Sequence, residues 1–468
     1  MAAKNAKAAS GKLAIDGGTR AIPEGLPMGG FGNDLIGKEE EKNVLKVLRD
    51  KALCRLNHRV EESAVYKFEQ ALRKHLDTPF LITVNSAANG LYLSLLALGV
   101  GPGDEVLVTG MGWVCCPAAV IYAGAIPVPV EMDDTLTMDT EDLEKKITPR
   151  TKAIMVVHNI GLPANMEKIL KVARKHNLKI VEDVAQSFGT QYRGQTVGTI
   201  GDAGVYSFNA HKILSTGEGG AIVVKDPEVY MRVVQIAGMY AFHHWAYDDG
   251  KPVKSMLPTL PLLNFRMPEL GGAVGLAQLK KVPKMIAKLR ARNREVVNGI
   301  KDLPGVRFAK LHDAEGVQGD TLPLVFDTAE QAAYFQKAMF AEGCTNVSGL
   351  GWCFGGSEHR GTGVLCEAEG MDPFEQFSLV FADGWKCMND WIGPNEKFNP
   401  WKMAGTKEPL QKFGGDCLPK TRQALARMVA FKFHVHMEAS HTKKMIKAAK
   451  KVLKAMQANG VAKKAKAA

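Results

Sequence analysis

Four short segments hold side chains whose types and spacing could do chemistry. Ser207-Phe208-Asn209-Ala210-His211-Lys212 ends in a lysine just ahead of the glycine turn Gly217-Glu218-Gly219-Gly220. A lysine amine in apolar surroundings has its pKa pushed down from about 10.4 and becomes a nucleophile toward carbonyls. Glu182-Asp183-Val184-Ala185-Gln186 closes an apolar run. An aspartate there is costly to bury unless it meets a cation or hydrogen-bond donors, and a protonated ring nitrogen would serve. Val84-Asn85-Ser86-Ala87-Ala88-Asn89 sits where a strand should give way to a helix. Its small residues let a phosphate approach the free N–H groups of the helix start. Trp113, in Gly110-Met111-Gly112-Trp113-Val114, offers an aromatic face to a flat ligand. Each segment also has a plain structural reading: a surface lysine by a turn, a capping aspartate, a small-residue turn, a core tryptophan.

One ligand satisfies all four segments. A phosphate, a flat ring, a ring nitrogen and an aldehyde together describe pyridoxal 5′-phosphate. These groups need a frame, and the sequence supplies one. Apolar runs at 80–86, 104–110, 126–131, 153–158, 178–185, 203–208 and 220–225 read as seven strands buried on both faces. Between them, 165–176 shows the spacing of a half-buried helix, and 139–147 opens with Asp139 and Thr140 as candidate N-caps. This is α/β architecture, with helices on both faces of the sheet. Ligands on such sheets gather beyond the carboxyl ends of the strands, where the four segments lie. Residues 268–301 read as a long helix that leads out of this unit, with Pro268 suited to its first turn. A smaller C-terminal α+β unit follows, ending in a Lys-rich helix over 440–457. The predicted organisation is a basic tail at 1–12, an N-terminal segment and large cofactor-binding domain at 13–285, a small domain at 286–457, and a basic tail at 458–468. Both tails are expected to be disordered. Residues 348–418 hold four of the six tryptophans and read as long, functional loops.

Composition sets the remaining limits. The 468 residues are 46% hydrophobic and 23% charged, which suits a soluble globular chain and excludes a collagen or a disulfide scaffold. No run approaches the roughly 20 apolar residues of a membrane span. The net charge of +11 comes from lysines at the two ends, so the body is nearly neutral. The tails read as solvated ends, and nucleic acid is not an expected partner. The eight cysteines form no CxxC pair, and the N-terminus has no apolar export segment. A cytoplasmic protein with reduced thiols and no metal site is the expectation. His434 and His436 would share one face of a strand, but no further metal ligands are identifiable.

The quoted segments and their order resemble the DegT/DnrJ/EryC1/StrS family of fold-type-I aminotransferases. The likeness spans roughly 12–450. It is strongest in GPGDEVLV, ITPRTKAIMVVHNIGLPANM, VEDVAQSFGTQYRGQTVGTIGDAGVYSFNAHK and GEGGAIVV, and returns in NFRMPELGGAVGLAQL. The resemblance implies a pyridoxal phosphate enzyme with a seven-stranded, mostly parallel sheet and a smaller C-terminal α+β domain. It implies that Lys212 forms the Schiff base, Asp183 pairs with the ring nitrogen, and Ser86, the Ala87 N–H and Ser207 bind the phosphate. Trp113 would stack on the ring and Gln186 would contact it. Asn264 would reach the phosphate of a neighbouring subunit, so the active site would be shared across a homodimer. The implied reaction moves an amino group from glutamate or glutamine to a keto sugar, nucleotide-linked or not, or to a keto-cyclitol, by ping-pong kinetics.

Two positions depart from the family pattern. Ala88 replaces the usual threonine of the phosphate turn, and Ile160 replaces the usual tyrosine. A sugar dehydratase on the same fold is an alternative, because those relatives carry histidine in place of the lysine and His211 precedes Lys212. Counting five residues from Ser207 reaches the lysine and favours transamination. A non-catalytic regulator would have lost Lys212 or Asp183, and both are present.

Overall fold

A computed structural model describes residues 12–27, 32–55, 59–238, 263–349 and 417–458. Most of the loop-like stretch 348–418 and most of both tails therefore lie outside the described residues, as do His243 and His244.

All seven expected strands form, each within a residue or two of its expected ends. They are β1 (Phe80–Val84), β2 (Glu105–Thr109), β3 (Ile126–Val130), β4 (Thr151–Val157), β5 (Lys179–Asp183), β8 (Ala203–Ser207) and β9 (Gly220–Val224). A two-stranded hairpin, β6 (Gln191–Tyr192) with β7 (Gln195–Thr196), intervenes. The sheet order is β1-β9-β8-β5-β4-β2-β3. Only β9 runs against the others.

Alternate residues sort onto two cores, as a pleated strand requires. Leu81, Leu107, Ile154 and Ile180 face one side, with the helices Ala64–Leu76, Met166–His176 and Glu269–Ile300. Ile82, Val106, Met155 and Val181 face the other, with the helices Ala87–Ala97, Cys115–Tyr122 and Pro227–Ile236. Asp139 caps the helix Thr140–Lys145 as expected, its carboxylate accepting from the N–H groups of Glu141 and Asp142.

The long helix Glu269–Ile300 crosses the helix Ala64–Leu76 at close range. A Cβ at Gly272 would stand 2.5 Å from Val65 Cα, so only glycine permits the crossing. The helix then leads to a three-stranded antiparallel sheet, β10 (Thr321–Val325), β12 (Met428–Lys432) and β11 (Val347–Gly349), in that order. The helix Ala329–Ala341 packs on it, and the helix Ala439–Ala458 packs against that helix and Glu269–Ile300. His434 and His436 fall after β12, in a turn, not on a strand face.

A carboxylate joins the two sheets. Glu131, buried just after β3, accepts from the N–H of Lys420 at 3.1 Å, the N–H of Thr421 at 2.8 Å and Thr421 Oγ1 at 2.5 Å. It thereby caps the helix Pro419–Ala426 across the boundary. No described helix is long and apolar enough to cross a membrane.

Candidate active site

The six parallel strands end on one edge, and the sequence-predicted residues gather there. Gly220, the first residue of β9, lies between Val84 of β1 and Ser207 of β8. Ser207 and the segment just after Val84 are therefore about two strand spacings apart, roughly 10 Å. Ser86 caps the helix Ala87–Ala97, its Oγ accepting from Asn89 N–H at 3.2 Å. The N–H groups of Ala87 and Ala88 are left over at this helix start. An added Cβ at Gly220 would fall 2.8 Å from Ala87 N, so glycine keeps the space before the helix open. Ala88 adds no hydroxyl to this cradle, but the backbone donors are intact.

Asp183 ends β5 and is 3% exposed. Its Oδ1 accepts from Ala185 N–H at 2.9 Å, and its Oδ2 accepts from the Cys116 thiol at 3.0 Å. That thiol stays protonated. Its neighbour Cys115, burial and the Asp183 charge all push its pKa well above the usual thiol range. Lys212 lies in the loop between β8 and β9, which is folded back by Thr216 N–H to Phe208 O at 2.8 Å. Gly32 N–H donates to Lys212 O at 2.9 Å and pins the loop from outside. Burial pushes the Lys212 ammonium below the usual lysine range, while Asp183, Cys115 and Asp320 pull it back up. Trp113 follows β2 and remains 48% exposed, as a stacking face should be before a ligand covers it.

Two residues sit differently from a simple ligand contact. Gln186 Oε1 is occupied, accepting from Ile160 N–H at 3.0 Å, which leaves its amide N–H groups for a ligand. Asn264 is exposed, with Oδ1 near Arg266 N–H at 3.4 Å. Its neighbour Phe265 bonds Asn85 N–H at 2.9 Å, so the segment abuts the phosphate cradle.

The residues fit pyridoxal phosphate. The cradle takes a phosphate, Asp183 Oδ2 holds only a weak thiol donor and can take a ring N–H, and Lys212 has the lowered basicity of a nucleophilic amine.

Sequence reasoning did not foresee the part played by several groups. Ile160, buried in the turn after β4, has φ 47°, a left-handed conformation costly for a β-branched side chain. The turn is held by Gln186, by Ser187 Oγ accepting from Gly161 N–H at 3.1 Å, and by Gly161 O accepting from Gln318 N–H at 2.9 Å. The charges of Asp320 and Lys432, at the smaller sheet, act on the Lys212 ammonium. Burial pushes the Asp320 carboxyl above its usual range. Among the described residues, no group of three or more His, Cys, Asp and Glu is placed to hold a metal.

Glu182 is the fourth group whose part was not foreseen. It is fully buried beneath the site and accepts from Gly198 N–H at 2.8 Å, Ile200 N–H at 2.8 Å and Gly201 N–H at 2.6 Å. It also pairs with His158 Nε2 at 2.9 Å. His158 Nδ1 accepts from Ala164 N–H, so Nε2 carries the proton toward Glu182. Burial opposes ionisation of Glu182, but His158 and the backbone donors win, holding its pKa below the ordinary 4.5. Its stabilising contribution is full above that value and is lost as pH falls through the lower folded pKa. Glu182→Gln leaves two of these donors facing an amide NH₂ and should cost about 3 kcal/mol at neutral pH. Urea unfolding at pH 7 and pH 4 checks this. The gap between wild type and variant should narrow on the acid side, and a loss below about 1 kcal/mol at pH 7 would contradict it.

Comparison with known proteins places the chain. Residues 34–345 match the profile of the DegT/DnrJ/EryC1/StrS aminotransferase family. GDP-perosamine synthase of Caulobacter vibrioides is 39% identical over 235 residues, which is 50% of this chain and 60% of that one. The chain thus spans about 60% of the length of that relative. The spore coat polysaccharide biosynthesis protein SpsC of Bacillus subtilis is 33% identical over 303 residues, covering 62% of this chain and 72% of that one. Among solved structures, the aminotransferase from Psychrobacter cryohalolentis shares the fold with a TM-score of 0.68 at 21% identity, covering 92% of this chain and 99% of that one. With the lysine, the aspartate and the phosphate cradle on one edge of such a sheet, the chain belongs to the DegT/DnrJ/EryC1/StrS aminotransferase family.

Proposed function

We propose that the protein is a pyridoxal phosphate-dependent aminotransferase. It moves an amino group from glutamate or glutamine to a keto sugar, most simply one carried on a nucleotide. Supporting the reading, Lys212 sits on the β8–β9 loop within range of the Asp183 charge, and Gly220 at the end of that loop borders the open helix start. The relatives named for GDP-perosamine synthesis support the nucleotide-linked acceptor.

Pyridoxal phosphate, when bound, supplies an aldehyde that joins the amine and a ring that withdraws electrons. The chain does the rest. Ser86, the Ala87 N–H and Ser207 bind the phosphate, and Trp113 covers one ring face. The amide N–H groups of Gln186, without a partner among the described residues, donate to the ring substituent. Asp183 Oδ2 holds a proton at the ring nitrogen. Lys212, its basicity lowered by burial, takes the proton from the substrate carbon and returns it one position along. Asn264, exposed beside the cradle, reaches the phosphate site of a second copy, which makes the working unit a homodimer.

The lysine at 212 favours transamination over the dehydratase chemistry that a histidine there would bring. The reading also assigns 13–285 to cofactor binding and 286–457 to a smaller unit, with the helix Glu269–Ile300 running through their boundary. The setting is cytoplasmic, where free thiols such as Cys54 and Cys115 stay reduced.

A two-step assay tests the function. The holoprotein is mixed with L-glutamate or L-glutamine alone, then freed of donor and given the GDP-linked 4-keto-6-deoxymannose that corresponds to GDP-perosamine. The first step should release one equivalent of 2-oxo acid, and the second should yield the amino sugar by mass spectrometry. Release of no 2-oxo acid from either donor would overturn the reading.

A further inference from the structure

We propose that Cys116 is a positioning residue: its buried thiol donates to Asp183 Oδ2 and aims that carboxylate at the ring nitrogen of the cofactor. The inference rests on the aminotransferase reading above.

The ends of three neighbouring strands bring the two residues together. Thr109, the last residue of β2, accepts from Val157 N–H on its Oγ1 at 3.0 Å, and His158 N–H donates to Asp183 O at 3.0 Å. Val157 stands opposite Asp183 in the register of β4 and β5. The chain after β2 passes against this valine at Gly112. An added Cβ there would stand 3.1 Å from Val157 Cγ2 and 3.6 Å from Cys116 Sγ. The helix Cys115–Tyr122 starts at this point and sets Cys116 Sγ 3.0 Å from Asp183 Oδ2, across the intervening strand β4. Trp113 O accepts from Cys116 N–H at 3.0 Å, so the turn that presents the exposed tryptophan also carries the thiol.

The backbone of Asp183 is held on both sides by the sheet, and rotation of its carboxylate is what remains to be fixed. Two donors fix it. Ala185 N–H takes Oδ1 at 2.9 Å, and the Cys116 thiol takes Oδ2. Cys116 is fully buried and Asp183 nearly so, so little water is at hand to replace the thiol. Cys115, burial and the Asp183 charge keep that thiol protonated, and a protonated thiol can donate.

A thiol suits this task because it is a weak donor. It sets the direction of the carboxylate while drawing little charge from the oxygen that must attract a ring N–H. Removing it has two opposed effects. Oδ2 regains the little charge the thiol drew, which strengthens its hold on the ring proton. The carboxylate also loses its aim, which weakens that hold. The second effect is the larger, since a charged hydrogen bond depends steeply on distance and angle.

Alanine and serine at 116 remove almost the same bulk and differ in the donor, so the pair separates aiming from packing. The probe is pyridoxamine phosphate labelled at its ring nitrogen and bound to the apoprotein, with solid-state nitrogen NMR reading ring protonation across pH without turnover. In Cys116→Ala the proton affinity of the ring nitrogen should fall about 10-fold, and the half-reaction of the holoenzyme with L-glutamate should slow about 10-fold. Cys116→Ser should lose about 3-fold or less on both measures. Infrared spectra of the apoprotein give a readout free of cofactor. The S–H stretch that disappears in Cys116→Ala should lie below that of the other thiols, and should rise in Asp183→Asn, which removes its acceptor. Equal losses in the two Cys116 variants, an S–H band that Asp183→Asn leaves in place, or a ring nitrogen that holds its proton as well in Cys116→Ala as in wild type would overturn the proposal. If the wild-type apoprotein shows the lowered S–H band yet binds no pyridoxamine phosphate, the aminotransferase reading itself has failed and the aiming role falls with it, which is a distinct result.

Discussion

Replacing Lys212 by alanine should lower turnover by at least about 10⁴-fold, the upper end of what a positioned acid–base group contributes, because in the proposed reaction this residue is also the attachment point. The fold should survive. The contacts that pin this loop are backbone ones, from Lys212 N–H to Asn209 O and from Gly32 N–H to Lys212 O, and alanine keeps both. The side chain itself is a liability in the apoprotein. Its pKa lies below the ordinary 10.5, chiefly through burial, so the folded state disfavours the charged amine. That penalty is full below the folded pKa and fades as pH rises toward the unfolded value. The apo variant should therefore melt no lower than wild type at pH 7. Three measurements bear on the claim: 2-oxo acid release, melting temperature, and mass after borohydride, which fixes cofactor to a lysine it is joined to. Borohydride should add cofactor mass to wild type and none to the variant. Turnover within about 100-fold of wild type would remove Lys212 from the chemistry.

This residue was legible in the sequence because its surroundings follow a short-range rule. Strands buried on both faces read as continuous apolar runs, and polar groups at their ends stand out against them. Asp183, Ser207 and Ser86 each occupy such an end, within a residue or two of a strand terminus. Asp320 and Lys432 obey no short-range rule. Lys432 meets Thr321 across 111 residues of sequence, through a register that only the folded sheet defines. Glu182 was visible, but its role was not. Its backbone partners at Gly198, Ile200 and Gly201 follow the hairpin of β6 and β7, which was not anticipated. Ile160 was visible as a departure from the family pattern, but nothing local forecasts positive φ at a β-branched residue. Cys116 was hidden by its own chemistry. In the run Cys115-Cys116-Pro117-Ala118-Ala119-Val120 a thiol reads as one more small apolar side chain. In the fold it is the hydrogen-bond partner of Asp183 Oδ2.

That partnership shapes the second large effect. Asp183→Asn should slow the donor half-reaction about 10³-fold, the scale of removing one preorganised electrostatic group, while reducing cofactor retention far less. Ala185 N–H fixes Oδ1 at 2.9 Å, so in the variant the amide oxygen keeps that place and Nδ2 replaces Oδ2. Oδ2 accepts; Nδ2 donates. The group that, in the proposed reaction, would hold a proton at the ring nitrogen then presents a proton of its own, and the nitrogen could only accept. The ring loses the charge that lets it draw electrons from the substrate carbon, and Lys212 has a far weaker acid to deprotonate. The thiol does not compensate. Cys116 stays protonated because its pKa lies well above the usual range, so it carries no negative charge in place of the carboxylate. Ser86 follows β1, three strands from β5, and Ser207 ends the adjacent β8 but makes no hydrogen bond to Asp183, so the proposed phosphate contacts should be little disturbed. Gel filtration with absorbance at the cofactor band measures retention, and stopped-flow mixing with L-glutamate measures the rate. A rate within about tenfold of wild type would mean that Asp183 holds no proton that the reaction needs.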